Sequence, residues 1–337
     1  MTPRTAGVIA TRDQREYIGA AVESLAPQVD ELIVVDDASS DGTAELVEGL
    51  SSNVTVLRNS RRLGVSLSFT RAIEAATAEI IVISGGDDVS LPGRVRAQAQ
   101  ALVTDGVSLV SSLPQVIDAS GRLLPTEVAG EFHAKPPHVS ALEFLYFTGN
   151  FICAPAAALR RSDYLRFGGF PPNIDQLQDH ALWLELAAVG EVVVAETPGV
   201  NYRKHSANLS RESVGLDSRR ARRRSAERDW LLDAFLVRST FAVRAQLAAT
   251  RGIDVNLLES LADLEQVALI QINHPDPLVV RRGLARLFEI GVRADGDARL
   301  TAMGLTADDL EAFAVAADHE NVTAVTRALG LASGTRG

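Results

Sequence analysis

Short apolar runs and amphipathic stretches alternate over the first 110 residues. Gly7–Ala10 predicts a strand, and Gln14–Leu25 a helix with Tyr17, Ile18, Ala21, Val22 and Leu25 on one face. Glu31–Val35 predicts a second strand. Ser40 or Asp41 then caps a helix that runs to about Leu50. Val54–Leu57 predicts a third strand, about Ser66 to Ala76 a helix, and Glu79–Ile83 a fourth strand. Pro92 opens another helix at a position proline tolerates. Near-continuous apolar strands alternating with helices imply a mostly parallel sheet covered on both faces.

After Val107 the pattern changes. Val107–Ser111, a turn at Asp118–Gly121 and Leu123–Leu124 predict an antiparallel excursion. Ala154–Leu159 predicts a strand, Asp179–Val189 a helix and Glu191–Ala195 a strand, so the whole sheet is expected to be mixed. From Arg211 the chain turns basic, with Arg219, Arg220, Arg222, Arg223 and Arg224, and then reads as helical: about 218–248, 255–271, 276–290, 306–317 and 320–330. Two domains are expected, 1–210 and 211–337, the second an accessory, oligomerisation or acceptor-binding region. The Arg run reads as a solvated helix face, as a contact for an acidic partner or an anionic acceptor, or as a membrane-surface patch.

Composition narrows the class. Apolar residues make up 46% and charged residues 23%, as in a globular protein. The net charge of −10 argues against general nucleic-acid binding. The lone cysteine, Cys153, allows neither an internal disulfide nor a thiolate zinc cluster, and fits a reducing, cytoplasmic setting. Met1–Ala10 shows no signal-peptide pattern, and no apolar run reaches the roughly 18 residues of a bilayer span. Any membrane association is expected to be peripheral, at the inner face.

Two acidic pairs carry the candidate chemistry. Asp36-Asp37 ends the second strand, at the side of an open α/β sheet where ligands bind. A carboxylate there can accept from a base or a ribose, or simply turn the chain. Asp87-Asp88 follows the fourth strand within Ser84-Gly85-Gly86-Asp87-Asp88. Adjacent carboxylates suit Mg²⁺ or Mn²⁺, which takes its remaining ligands from phosphate and water; a plain Gly-Gly-Asp-Asp turn is the alternative.

Taken together, Val34-Val35-Asp36-Asp37-Ala38-Ser39-Ser40-Asp41-Gly42-Thr43, Arg58-Asn59, Leu63-Gly64 and Asp87-Asp88 before Leu91-Pro92-Gly93-Arg94 resemble glycosyltransferase family 2. So do Phe167-Gly168-Gly169-Phe170, Gln178-Asp179-His180-Ala181-Leu182-Trp183 and Tyr202-Arg203-Lys204-His205. The resemblance covers roughly residues 5–210. It implies a GT-A fold, a Rossmann-like mixed sheet of the nucleotide-diphospho-sugar transferases, here followed by a helical C-terminal region. It implies metal-dependent transfer of a hexose-type sugar, with inversion, from a nucleoside-diphosphate sugar to a hydroxyl acceptor; UDP is the nucleotide the family favours. Thr11 and Asp37 would contact the base, Asp87 the ribose or the metal, and Asp88 the metal. Asp179 would be the general base. His205 could complete the metal site and Arg203 hold diphosphate oxygens. Trp183 either packs the core or presents a platform to a sugar.

Two positions depart from the family. Gly85 stands where many members carry an acidic residue, and Gln178 where they carry Glu. These departures keep a non-catalytic nucleotide-sugar-binding scaffold in view. A sugar nucleotidyltransferase would need a Gly-rich loop after the first strand, where Thr11-Arg12-Asp13-Gln14-Arg15 stands, and a dinucleotide-dependent oxidoreductase a G-x-G-x-x-G there.

Overall fold

Four parallel strands form one half of the sheet: β1 (Thr5–Thr11), β2 (Glu31–Asp36), β3 (Val54–Arg58) and β4 (Ile80–Gly85). Burial of both faces explains the Val and Ile of β1, β2 and β4, whereas β3, at the sheet edge, is only partly buried. The computed structural model describes residues 3–50, 53–129, 132, 135–205, 219–310 and 312, without the side chains of Thr126 and Ala129. Three helices return the chain between the parallel strands: α1 (Ile18–Leu25), α2 (Thr43–Glu48) and α3 (Val65–Ala75). Ile9, Ile18, Val22, Leu25, Leu32, Val34 and Val82 pack in one buried cluster. The register pairs Thr11 with Asp36 and Ala10 with Gly85, so the carboxyl ends of β1, β2 and β4 lie side by side.

The other half is mixed. β5 (Val89–Ser90) comes directly after Asp88, and α4 (Arg94–Leu102) leads to the long β6 (Val107–Ile117). Next come α5 (Ala141–Phe147), β7 (Ala158–Arg160), α6 (Arg161–Arg166), α7 (Gln178–Val189) and β8 (Glu191–Arg203). The strand order is β3-β2-β1-β4-β7-β6-β8-β5. β7 is antiparallel to both β4 and β6, β8 runs parallel to β6, and β5 is antiparallel to β8.

Several boundaries differ from expectation for local reasons. The first helix begins at Ile18 rather than Gln14, because Asp13 takes a positive φ of 48° and Gln14–Tyr17 form a turn. Tyr17 therefore leaves the helix face predicted for it. Pro92 lies in the turn before α4, where the Arg94 N–H donates to the Leu91 carbonyl. In the expected strand 154–159, Ala154–Ala156 form a 3₁₀ turn containing Pro155, and only Ala158–Arg160 pair. The excursion after β6 is antiparallel as expected, with Ile117 bridging Leu123. In the Phe167–Phe170 turn, Gly169 has φ +69°, and a Cβ there would lie 2.4 Å from the Tyr164 ring, so the turn needs glycine on both counts.

Two compact units emerge: residues 1–141 with 149–224, and 142–148 with 225–337. This division differs from a boundary at 210. It falls inside α8 (Arg219–Arg238), and it places a seven-residue insert from α5 with the helical unit. Beyond α8 come α9 (Phe241–Thr250), α10 (Val255–Glu259), α11 (Asp263–Ile272), α12 (Pro277–Gly291) and α13 (Gly296–Ala302). The expected helix 218–248 breaks at Ser239–Thr240, and 255–271 breaks at 260–262. The expected helix 320–330, residues 206–210 of the His205 segment, and Arg211 lie outside the described residues. None of the described helices is long and apolar enough to cross a membrane.

His274 explains part of the insert's attachment within the second unit. It is 1% exposed. Its Nε2 bonds the Tyr146 carbonyl at 2.9 Å and its Nδ1 accepts from the Asp276 N–H at 2.9 Å. One donor and one acceptor are what a neutral imidazole offers. Burial pushes its pKa down to about 4, although the Tyr146 hydrogen bond opposes this. A histidine held neutral in the fold but free to charge when unfolded removes stability as pH falls below its unfolded value of 6.5, until its folded value is passed. Chemical denaturation should show the second unit losing about 2 kcal/mol between pH 7.5 and pH 5, and His274→Gln should flatten that dependence.

Candidate active site

A cleft of ≈ 2090 Å³ opens at the carboxyl ends of β1, β2 and β4. Thr11, Asp37, Asp87, Asp88, Asp179 and His205 all line it, and all lie in the first unit. The fold therefore collects residues spread over 195 positions of sequence onto one concave surface.

At the end of the cleft formed after β1 and β2, two loops are laced together. The Asp13 N–H donates to Ser39 Oγ at 2.9 Å, and the Ser40 N–H donates to Asp13 Oδ1 at 2.8 Å. Asp13 and Ala38 both take positive φ, 48° and 59°, a conformation uncommon for residues other than glycine. Thr11 Oγ1 donates to Gln14 Oε1 at 2.8 Å. Asp37 is 5% exposed, and its carboxylate accepts from the Leu63 N–H at 2.7 Å, the Gly64 N–H at 2.8 Å and Asn59 Nδ2 at 2.8 Å. Burial resists its ionisation, but these hydrogen bonds prevail and hold its pKa below the usual carboxylate value. Asp37 thus anchors the loop 59–64 while lining the cleft. This bracing role was not read from the sequence, although Asn59, Leu63 and Gly64 were noted there as motif residues.

The acidic turn sits between β4 and β5. Asp88 is 1% exposed, and its Oδ1 accepts from the Arg203 N–H at 2.8 Å. Burial, reinforced by the neighbouring charge of Asp87, pushes the Asp88 pKa well up. Asp87 Oδ2 pairs with His205 Nε2 at 2.8 Å. Gly85 makes this crowding possible. A Cβ there would lie 2.3 Å from Asp88 Oδ2 and 2.9 Å from Asp87 Oδ1, so these two oxygens converge over the bare glycine. The departure at Gly85 thus leaves room for both carboxylates.

That convergence is the test of fit for a divalent cation. Burial and the charge of Asp87 disfavour ionisation of Asp88 in this corner, and a cation reverses that preference. Among the described residues no group of three or more His, Cys, Asp or Glu side chains could hold a metal. Two converging carboxylates are compatible with a hard divalent cation whose remaining ligands come from phosphate and water.

Asp179 lies in the first turn of α7, a favourable place for negative charge. The N-cap is Leu177, so Asp179 does not cap the helix. Its Oδ2 accepts from Asn150 Nδ2 at 3.0 Å. Asn150 is itself held by the Ile152 N–H, which donates to its Oδ1 at 3.0 Å. Asn150 also lines the cleft. Gln178 lines the cleft too, and its Oε1 is buried with no hydrogen-bond partner among the described residues. Cys153 is buried nearby. Burial pushes its thiol pKa well up, Asp88 adds to the rise, and Asp179 contributes further, so both carboxylates act on one interior atom.

Two expected contacts are placed differently. Arg203 is 6% exposed, and its guanidinium donates to the carbonyls of Asp87 at 2.7 Å, Asp118 at 3.2 Å and Ala119 at 3.0 Å. It braces the acidic turn from behind rather than reaching toward a diphosphate. Trp183 is fully buried, edge-on to Phe170 at 6.2 Å, so it packs the core and presents no face to a sugar. Tyr17 takes a place in the cleft that its sequence pattern did not suggest. Its ring lies 4.9 Å from the His205 ring and 4.9 Å from the Arg203 guanidinium carbon.

Known proteins resemble parts of this chain in sequence or fold. A Mycobacterium tuberculosis relative, "Uncharacterized protein MT1568", is 27% identical over 214 residues, 60% of this chain and 66% of its own length. "Uncharacterized glycosyltransferase MJ1057" of Methanocaldococcus jannaschii is 23% identical over 195 residues, 55% of this chain and 65% of its own. The matches thus span just under two thirds of these relatives. The crystal structure of S. aureus TarS 1-349 in complex with UDP-GlcNAc superimposes with a TM-score of 0.58 at 16% identity, covering 98% of this chain and 90% of that one, a likeness of fold. Residues 8–167 match the family described as Glycosyl transferase family 2. The matched region, which contains the Asp-Asp turn of β4, is thus similar to glycosyltransferase family 2, and the sheet has the GT-A fold seen in TarS.

Proposed function

We propose that the first unit transfers a sugar from a nucleoside-diphosphate sugar to a hydroxyl acceptor, with inversion at the anomeric carbon. The observation that carries this reading is the convergence of the Asp87 and Asp88 carboxylates over Gly85, in the cleft that Asp179 also lines. UDP is the proposed nucleotide. TarS, which shares the fold, was crystallised with UDP-GlcNAc and with UDP.

In this reading Thr11 and Asp37 receive the base, and Asp87 and Asp88 hold the cation. Mn²⁺ or Mg²⁺ bound there supplies positive charge to the departing diphosphate. Asp179 takes the proton of the acceptor hydroxyl as its oxygen bonds to the anomeric carbon, and the bond from that carbon to the diphosphate oxygen breaks on the opposite side. Asn150 acts as a positioning residue by fixing one oxygen of Asp179. Arg203 holds the acidic turn, and His205 orients Asp87.

Three results test these assignments. In titrations of UDP-GlcNAc with and without MnCl₂, wild type should bind with metal and lose most affinity after chelation, and Asp88→Ala should bind weakly under both conditions. Metal-independent binding, or an unaffected Asp88→Ala, would refute the metal assignment. Asp179→Asn should bind donor as wild type does while turnover, including slow donor hydrolysis, falls about 10²–10⁴-fold. Equal turnover would remove Asp179 from the base role. Asn150→Ala should lower kcat by about tenfold with donor KM nearly unchanged, because a wandering base costs rate rather than donor affinity. A rise in donor KM alone would instead make Asn150 a donor contact.

A further inference from the structure

The cleft extends beyond what a donor requires. Its ≈ 2090 Å³ is about twice the upper end of ordinary small-molecule sites. One part of its wall is the start of α8, where Arg219, Arg220, Arg223 and Arg224 all line the cleft. This is a dense local positive charge in a chain whose formal charge is −10. Helical spacing sets Arg220 beside Arg223 and Arg224, and Arg219 beside Arg223.

Hydrogen bonds and an ion pair tie these arginines to the loop before α7. Gln176 Nε2 donates to the Arg220 carbonyl at 3.2 Å, and Arg220 Nε donates to Gln176 Oε1 at 3.3 Å. Arg223 pairs with Asp175 at 2.5 Å. Asp175 and Gln176 belong to the loop that leads into α7, four and three residues before Asp179. The basic wall is thus tied to the segment that presents the proposed base. The Arg223–Asp175 pair is about half exposed on both partners, and exposed pairs of this kind hold weakly, so a competing anion can displace the carboxylate. Guanidinium forks match phosphate oxygens two at a time, and several on one helix face suit a phosphate or a row of phosphodiesters better than one carboxylate.

We propose that the arginine face of α8 is an anion subsite on the acceptor side of the cleft, and that the acceptor carries a phosphate group close to the hydroxyl that is glycosylated. The assignment of this subsite to the acceptor rests on Asp179 being the base, as argued above. The phosphate could belong to a soluble phosphate ester or to a lipid headgroup.

The test uses the full chain with UDP and MnCl₂ present, comparing wild type with Arg219→Gln/Arg223→Gln. Both residues are exposed, so the fold should survive, and unchanged thermal melting would verify this. Calorimetry with glycerol 1-phosphate against glycerol, and flotation with phosphatidylglycerol against phosphatidylcholine vesicles, read the two sources. Wild type should prefer glycerol 1-phosphate over glycerol, or the phosphatidylglycerol vesicles over the neutral ones, by at least tenfold. The double variant should lose at least tenfold of that binding while UDP affinity moves less than twofold. Retention of either arm identifies the source, soluble ester or headgroup. Absence of both preferences in wild type, or a variant that binds like wild type, overturns the subsite. A parallel loss of UDP affinity overturns its acceptor-side placement and assigns the arginines to the donor. Failure of the underlying reading looks different: UDP and UDP-GlcNAc would then not bind wild type at all, whatever the arginines do.

Discussion

The structure of the cleft depends on one hydrogen bond to a buried carboxyl group. The Arg203 main-chain N–H donates to Asp88 Oδ1 at 2.8 Å, and the Arg203 side chain reaches the carbonyl of Asp87. A carboxylate at 1% exposure without such a donor would be costly to bury. The contact joins the turn after β4 to the last residue of β8, 115 positions further along the chain. β5 pairing with β8 through Val89 and Asn201 fixes the same junction from the backbone side. The acidic turn is therefore clamped from both sides before any ligand arrives, as an electrostatic site requires.

A second constraint operates at the end of the cleft formed after β1 and β2 and uses the same device. Asp37 gathers two backbone N–H groups and an amide from the loop that precedes α3. Asp13 and Ser39 cross-link the loops after β1 and β2. Positive φ at Asp13 and Ala38 is tolerated because these bonds hold the loops in place. Between the two braced ends, the bare backbone of Gly85 gives the carboxylates room to converge, and Asn150 steadies Asp179 on the far side. The residues proposed to do chemistry are each held by another polar group.

How much of this was legible in the sequence depended on the range of the interaction. The four parallel strands and the helices between them follow from apolar runs and local caps, and those elements stand close to where the pattern put them. The Asp pairs were visible because they end strands, and strand ends are where α/β sheets bind ligands. Arg203 was misplaced because its residue type suits a site, whereas the three carbonyls around it come from distant segments; for Trp183, burial against the Phe170 ring selects core packing from its two readings. Tyr17 was read as a core residue because helical periodicity cannot reveal that Asp13 delays the start of α1 by a turn. Asn150 and Asn59 carry no pattern of their own; each acquires its role from a carboxylate elsewhere in the chain.

The sequence by itself determined the alternating α/β framework, the two acidic pairs, the family resemblance and the helical character of the C-terminal region, since all of these rest on local spacing and residue chemistry. Tertiary structure alone decided that residues 142–148 join the helical unit, that β5 and β8 close over the acidic turn, and that the arginines of α8 line the same cleft as Asp179. The physical reason is common to all three. Each depends on a hydrogen bond, ion pair or burial between segments far apart in the chain, and such pairings leave no periodic trace in the residues that make them.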